Sequence, residues 1–401
     1  MQVETGRQRR VARSHGVAAS ALRLGAIFMA WAAIWGVLRA IGGEGTWWGP
    51  LHAFMAGTVL LAISGATQLF STTWSASVPA DPRLAAAQRW SLAVGALLAV
   101  LGVANEVDWM TISGATLVGI GLVALGWILV GIVRRSLLRR FDLASRFYLL
   151  ALASGAVGVT LGGIIGSGVG GSSYLDLRTA HMHLNLVGLV GFSILGTLPT
   201  LLPTTARHKL VSGKEAVAAF WLCVGAFALF TAGIVSGPAV VGIGCILVGA
   251  AAALILGGIV SRLGIARLLR GGLPALLILS GSLWLTGWVG HEAYTLLAEG
   301  HLLYARATAV GAAGVGLVLF GSLAYLVPVL AGPGERLTAN FARMHGQGAM
   351  RSVVANAVPV LLALGVRSEV PVALAALFLV DYLVRVVLVL TVGRRGAATT
   401  P

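Results

Sequence analysis

Apolar runs about 20 residues long recur from one end of this chain to the other, and only short polar segments separate them. A run of that length crosses the hydrocarbon core of a bilayer as one α-helix, since each helical residue rises about 1.5 Å. The runs fall at 18–41, 51–74, 89–105, 110–133, 145–168, 179–203, 215–236, 238–261, 273–297, 304–330, 350–366 and 370–393. The reading is an all-α integral membrane protein of twelve transmembrane helices. Residues 1–401 form one polytopic domain, with a basic tail at 1–17 and a short tail at 394–401. The runs at 89–105 and 350–366 are the shortest. Charged residues make up 10% of the chain, against about 25% in soluble domains, and that deficit points to lipid as the solvent. Cys223 and Cys245 lie in apolar runs and read as small buried hydrophobes, not as a disulfide framework.

A net charge of +15 raises the possibility of a nucleic-acid partner. The distribution of that charge argues otherwise, because the arginines cluster in short loops between apolar runs. With the N-terminus placed inside the cell, 23 Lys and Arg fall in the inner segments and four, Arg39, Arg178, Arg306 and Arg367, in the outer ones. Arg385 lies within the last helix. Every inner loop then obeys the positive-inside rule, so both termini are expected in the cytoplasm and the protein in the plasma or inner membrane. Arg7, Arg9, Arg10 and Arg13 precede a stretch long enough to span, which reads as a helix retained in place, not a cleaved leader.

Orientation sorts the eight histidines. His15, His208 and His345 fall in arginine-rich inner segments and read as solvated. His52, His181, His183, His291 and His301 all fall at outer helix ends or in an outer loop. Ionisable side chains at membrane depth are rare and tend to face the bundle interior, and histidine is a common ligand for copper, iron and zinc. One histidine at a helix end is more often an interfacial hydrogen-bonder; five on one side, two of them as His-x-His, shift the balance toward a site. Met55, Met110 and Met182 also fall at outer ends, where thioether sulfur would suit Cu(I).

A four-helix period is also visible. His52 is followed by Gly57 and Gly65, and His183 by Gly188 and Gly196, at the same offsets of five and thirteen residues. In helix 10, Gly321 and Pro328 match the spacing of Gly196 and Pro203, which puts Thr308 where the other two helices have histidine. Helices 2, 6 and 10 are thus expected at the centre of three four-helix units around a pseudo-threefold axis.

Twelve helices with outer histidines on every fourth one resemble subunit I of the haem–copper oxidases. The stretch AHMHLNLVGLVGFSILGTLPTLLPT more closely resembles the membrane region associated with actinobacterial multicopper oxidases and copper nitrite reductases, and more distantly the NnrS family of haem- and copper-containing proteins. The likeness runs from helix 2 to helix 11 and includes SLAYLVPVLAG in helix 10. It implies haem b or copper as cofactor. It places His52 where the oxidases have a haem-ligating histidine, and leaves Arg306 and Thr308, with His301 farther out, where its partner would be. The oxidases' His-Pro-Glu-Val-Tyr segment and His-His pair are absent, so a complete oxygen-reducing centre is not implied.

The expected site gathers His52, His183 and at least one of His181, His291 and His301 in one outer cavity: His52, His183 and His301 as cofactor ligands, or His52, His181, His183 and His291 around a metal. His181 and His183 are two apart and point about 200° from each other on an ideal helix, so one faces the cavity and the other a neighbour; the match to His52 favours His183 as the inward one. Glu292, Glu106 and Asp108 are outer carboxylates that could orient a ligand histidine, although ordinary interfacial solvation is the commoner role for such residues. Asp381 and Arg385, four apart, share a helix face and read as an intrahelical pair. Pro199 and Pro203 are expected to bend the inner end of helix 6. No Walker motif, dinucleotide fingerprint or nucleophile elbow is present. The expected function is a redox protein exchanging electrons with an external copper protein, with quinol as a possible donor. Its competitors are a transporter of a small solute or metal ion, with no redox cofactor, and a structural or assembly partner.

Overall fold

The computed structural model describes residues 2–42, 46–138, 142–169, 171–209, 213–300, 305–332 and 335–395. The described residues are helical throughout, with no strand. The protein is an all-α membrane protein. The spans are α1 (Gln2–Gly42), α2 (Trp48–Trp74), α3 (Pro82–Ala104), α4 (Asp108–Arg134), α5 (Asp142–Gly166) and α6 (Tyr174–Thr205). They continue with α7 (Lys214–Ser236), α8 (Pro238–Leu263), α9 (Gly272–Ala298), α10 (Ala305–Ala331), α11 (Gly348–Ala363) and α12 (Glu369–Arg395). Among the described residues eleven of these are long and apolar enough to cross a membrane, and α11 is a shorter apolar helix.

Two differences from the sequence reading have local causes. Helix α3 starts at Pro82, seven residues before the apolar run. The Asp81 carboxylate accepts hydrogen bonds from the amides of Arg83 and Leu84, at 2.8 and 3.3 Å, and Pro82 occupies the first turn, where no amide is needed. The second difference is a helix, Glu335–His345, in the connection that reads as a polar loop. Its Leu337, Phe341 and Met344 recur at helical spacing and its other side is polar, so it is strongly amphipathic.

The spans pack in chain order, α3 on α4, α4 on α5, α7 on α8, α8 on α9, α9 on α10 and α11 on α12, and α12 returns to α1. Helices α2 and α6 are the most enclosed, with 72% and 83% of their apolar stretch buried, against 22% for α1 and 17% for α12. Helix α10 is half-buried and reaches α6 through Thr308, whose hydroxyl meets Met182 Sδ at 3.6 Å. Lipid offers no hydrophobic drive for helix association, so close backbone packing and internal hydrogen bonds carry it. A Cβ at Gly114 would lie 2.3 Å from the Ala99 amide nitrogen, so α3 and α4 touch through backbone. Farther along α3, the Gln88 side chain accepts from Ser64 of α2 at 3.0 Å and donates to the Gly121 carbonyl of α4 at 3.3 Å. Cys223 and Cys245 are buried free thiols.

Candidate functional site

Helices α2 and α6 share a departure from regular geometry. Each opens as an α-helix, passes through a π-helical segment, and returns to α. In α2 the segment is Ala53–Val59, directly after His52. In α6 it is His183–Gly191, beginning at His183. A π segment re-aims side chains and leaves room beside the helix, and such segments recur at functional sites. The matched histidine–glycine offsets therefore mark a shared backbone feature. Within it, a Cβ at Gly188 would fall 1.9 Å from the Ser154 hydroxyl oxygen, and that hydroxyl donates to the Leu184 carbonyl at 2.8 Å. The glycine gives α5 its place against the π segment.

Three histidines are held in the same way. His52 Nδ1 lies 2.9 Å from the Trp48 carbonyl, and His183 Nδ1 lies 2.8 Å from the Thr179 carbonyl, each one turn back on its own helix. His181 Nδ1 reaches across to the Gly158 carbonyl of α5 at 2.8 Å. A carbonyl oxygen can only accept, so each Nδ1 carries a proton. In a neutral imidazole the lone pair is then on Nε2, the arrangement that readies a histidine as a ligand. Asn185 supports the turn by donating to the His181 carbonyl at 2.9 Å. Helix α5 makes room for this cluster: a Cβ at Gly162 would lie 2.6 Å from His181 Cε1.

The histidines divide into two places. The rings of His52 and His181 stand 6.4 Å apart, centre to centre, with planes 12° from parallel. Trp48 stacks on His52 at 4.0 Å. His183 turns to the other side of α6, between Phe230 and Trp288, with ring centres 5.7 and 6.4 Å away. Its Nε2 lies 3.9 Å from Glu292 Oε2 of α9, with the two side chains 0% and 1% exposed. Both atoms are buried and without a hydrogen-bond partner among the described residues. An apolar cleft between α6, α8 and α9, lined by Leu186, Val187, Val248, Val289 and Trp288, adjoins this pair.

The structure thus brings His52 together with His181, and brings His183 to Glu292. His291 is exposed, and its neighbour Glu292 is the residue that faces inward. His301 lies outside the described residues. Met182 engages Thr308, the α10 residue in the histidine register. Among the described residues no hydrogen bond or ion pair joins Glu106 or Asp108 to these histidines. The pairing of His183 with Glu292 has no signal in the linear sequence, because it joins helices three apart. Among the described residues no three His, Cys, Asp or Glu side chains gather closely enough to hold a metal ion.

At the opposite, arginine-rich end, Asp381 binds its intrahelical partner Arg385 at 3.0 Å and also Arg351 of α11 at 2.6 Å. The i,i+4 pair is therefore part of a larger cluster. No protein-family model matches the chain, and no curated protein matches it in sequence.

Proposed function

We propose that the protein is a membrane-embedded redox protein whose cofactor is a haem held between His52 and His181. The observation that carries this reading is the paired geometry of the two imidazoles. A haem that draws two ligands from the protein needs two neutral imidazoles close to one another, each with its Nδ1 proton tied back and its Nε2 free of hydrogen bonds. His52 and His181, with ring centres 6.4 Å apart and each Nδ1 on a backbone carbonyl, would supply that pair. The donor set points to haem over a bare copper ion. Copper held by protein alone needs three or four side-chain donors, whereas a haem brings four nitrogens of its own and asks for two.

A haem bound there would supply one-electron exchange between ferric and ferrous iron. The chain's residues would do the rest. The Trp48 and Gly158 carbonyls fix the tautomers and orientations of His52 and His181. Trp48, stacked on His52, shields that ring. Low polarity around a centre raises the cost of the more highly charged state and so tunes its potential. With the arginine-rich loops inside, the histidine end faces outward, where an external copper protein can exchange electrons and a quinol can serve as donor. On this reading helices 2, 6 and 10 sit in three related four-helix units, with Thr308 marking the unit that has lost its histidine.

The test is the absorption spectrum of protein purified from cells supplied with haem precursors. A low-spin haem with two nitrogen ligands, reducible by dithionite, is expected. A colourless protein that contains neither haem nor stoichiometric copper would sink the redox reading and favour the transport class.

A further inference from the structure

The arginine-rich end of the bundle carries a cluster that neither the proposed haem nor the packing of spans accounts for. Arg351 opens α11 and is 3% exposed. Its guanidinium lies over the rings of Phe378 and Tyr382 at 5.9 and 5.8 Å, pairs with Asp381, and donates from Nη1 to the Met344 carbonyl at 2.6 Å. Arg385 pairs with the same Asp381 and donates to the Arg343 carbonyl at 2.9 Å. Arg343 donates to Asn340 Oδ1 at 3.2 Å. His345 and Arg207 lie within electrostatic reach of the group. Asp381 is the one carboxylate in this set of contacts among the described residues, so the Arg351 and Arg385 guanidiniums share one negative charge, and Arg343, bonded to Asn340, adds a third cation with no carboxylate partner among the described residues.

The atoms left over all have the same sense. Arg351 Nη2 and Asn340 Nδ2 are buried and have no hydrogen-bond partner among the described residues. Both are donors. A cluster with surplus positive charge and surplus donors is complementary to an oxyanion, and the planar arginine fork matches phosphate geometry better than an ammonium does. Two further features bear on the site. Asp381 is 38% exposed, so the cluster reaches the surface of the bundle at its carboxylate. The helix Glu335–His345 turns Met344, fully buried, and Phe341, against Tyr325 and His345, onto the bundle, and so seats Asn340 beside the cluster.

We infer that Arg343, Arg351, Asn340 and Arg385 form a binding site for a phosphate-class oxyanion at the arginine-rich end of the bundle, carried by an anionic lipid headgroup or free in solution. Basic pockets between membrane helices take lipid phosphates by this chemistry. The bound anion would balance the charge that Asp381 leaves uncompensated and would tie the helix Glu335–His345 to α11 and α12.

The test is thermal unfolding and native mass spectrometry of the intact protein after delipidation, with phosphatidylglycerol, phosphatidylcholine or inorganic phosphate added back. Phosphatidylglycerol should raise the melting temperature and leave a bound-lipid mass, and phosphatidylcholine should do neither. A matching rise with millimolar inorganic phosphate identifies the free anion as the source and also supports the site. R343Q, which alters a half-buried side chain outside the ion pairs, should weaken the added anion about tenfold, as expected for losing one charge-assisted hydrogen bond. D381N keeps every cation and removes the competing carboxylate, so its stability should depend on the anion more steeply than the wild type's. No response to either phosphate source in the wild type, or a phosphatidylglycerol response unchanged in R343Q, overturns the proposal.

Discussion

The two ends of this bundle fix buried polar side chains by opposite means. At the histidine end, His52, His181 and His183 each give a ring N–H to a backbone carbonyl at 2.8–2.9 Å, and among the described residues no ion pair there joins two permanently charged groups. At the arginine end, Arg351 and Arg385 converge on Asp381, and one Nη1 of each donates to a backbone carbonyl, of Met344 and Arg343 respectively. The first arrangement sets orientation and leaves the Nε2 atoms of His52 and His181 without a hydrogen-bond partner among the described residues, while that of His183 faces Glu292. The second closes a structural joint between α11, α12 and the helix Glu335–His345. On the proposed function, the difference separates a place that holds a cofactor from a place that holds the protein together, with the proposed anion completing the second.

The largest effect expected on this contrast falls at the arginine end. R351M leaves a carboxylate with one partner and removes the bond to the Met344 carbonyl. Asp381 is 38% exposed and keeps Arg385, which holds the loss below the roughly 3–5 kcal/mol of a fully buried pair, but Arg351 is itself buried and also holds the Met344 carbonyl, so the melting temperature of the purified protein should drop clearly. H183Q, which cuts the bond to the Thr179 carbonyl and keeps most of the ring's volume, should lower it less. Equal losses for the two variants would erase the contrast.

A middle-sized effect tests the backbone under the histidines. G188A places a methyl group against the Ser154 hydroxyl, and overpacking of this kind costs about 1–3 kcal/mol. S154G in the same chain removes both the hydroxyl and the Cβ that the methyl group meets, so the double variant should recover part of the loss. Additive losses from G188A and S154G would mean that the glycine serves some other contact.

How much of this was legible beforehand differs between the same two regions. The spans were readable because lipid demands about 20 apolar residues in succession, and eleven long apolar helices follow. The start of α3 was obscured by Arg83 and Arg89, which interrupt the apolar run although Asp81-Pro82 signals a helix start. The helix Glu335–His345 is too short and polar to register as a span; the spacing of Leu337, Phe341 and Met344 was its signal. The opposed directions of His181 and His183 followed from helical geometry, but not which neighbour each would meet. That choice depends on the π segment and on Gly158 and Gly162 of α5, which admit His181. His291 and Glu292 illustrate the same limit, since a rotation of one residue decides which is buried.

The smallest effect concerns His345, at the foot of the arginine cluster. Burial, then the nearby Arg351 and Arg207 charges, hold its imidazole below the ordinary value of 6.5, against an opposing hydrogen bond to the Ala324 carbonyl. A folded-state value below the unfolded one means that the unfolded chain takes the proton first. The stabilising contribution is therefore present above about 6.5 and is lost as pH falls through and below it. Melting temperature should decline modestly as pH falls from about 7 toward 5, and H345Q should flatten that decline. A decline of equal slope in H345Q would assign it to other groups.

The central claim, that His52 and His181 share one cofactor while His183 belongs to a separate pair, is tested most directly by haem and metal content per chain in three purified variants. H52A and H181A should each insert and fold yet lose the bound cofactor, and H183A should keep it. Full occupancy in H52A and H181A, or loss confined to H183A, would contradict the pairing on which the functional proposal rests.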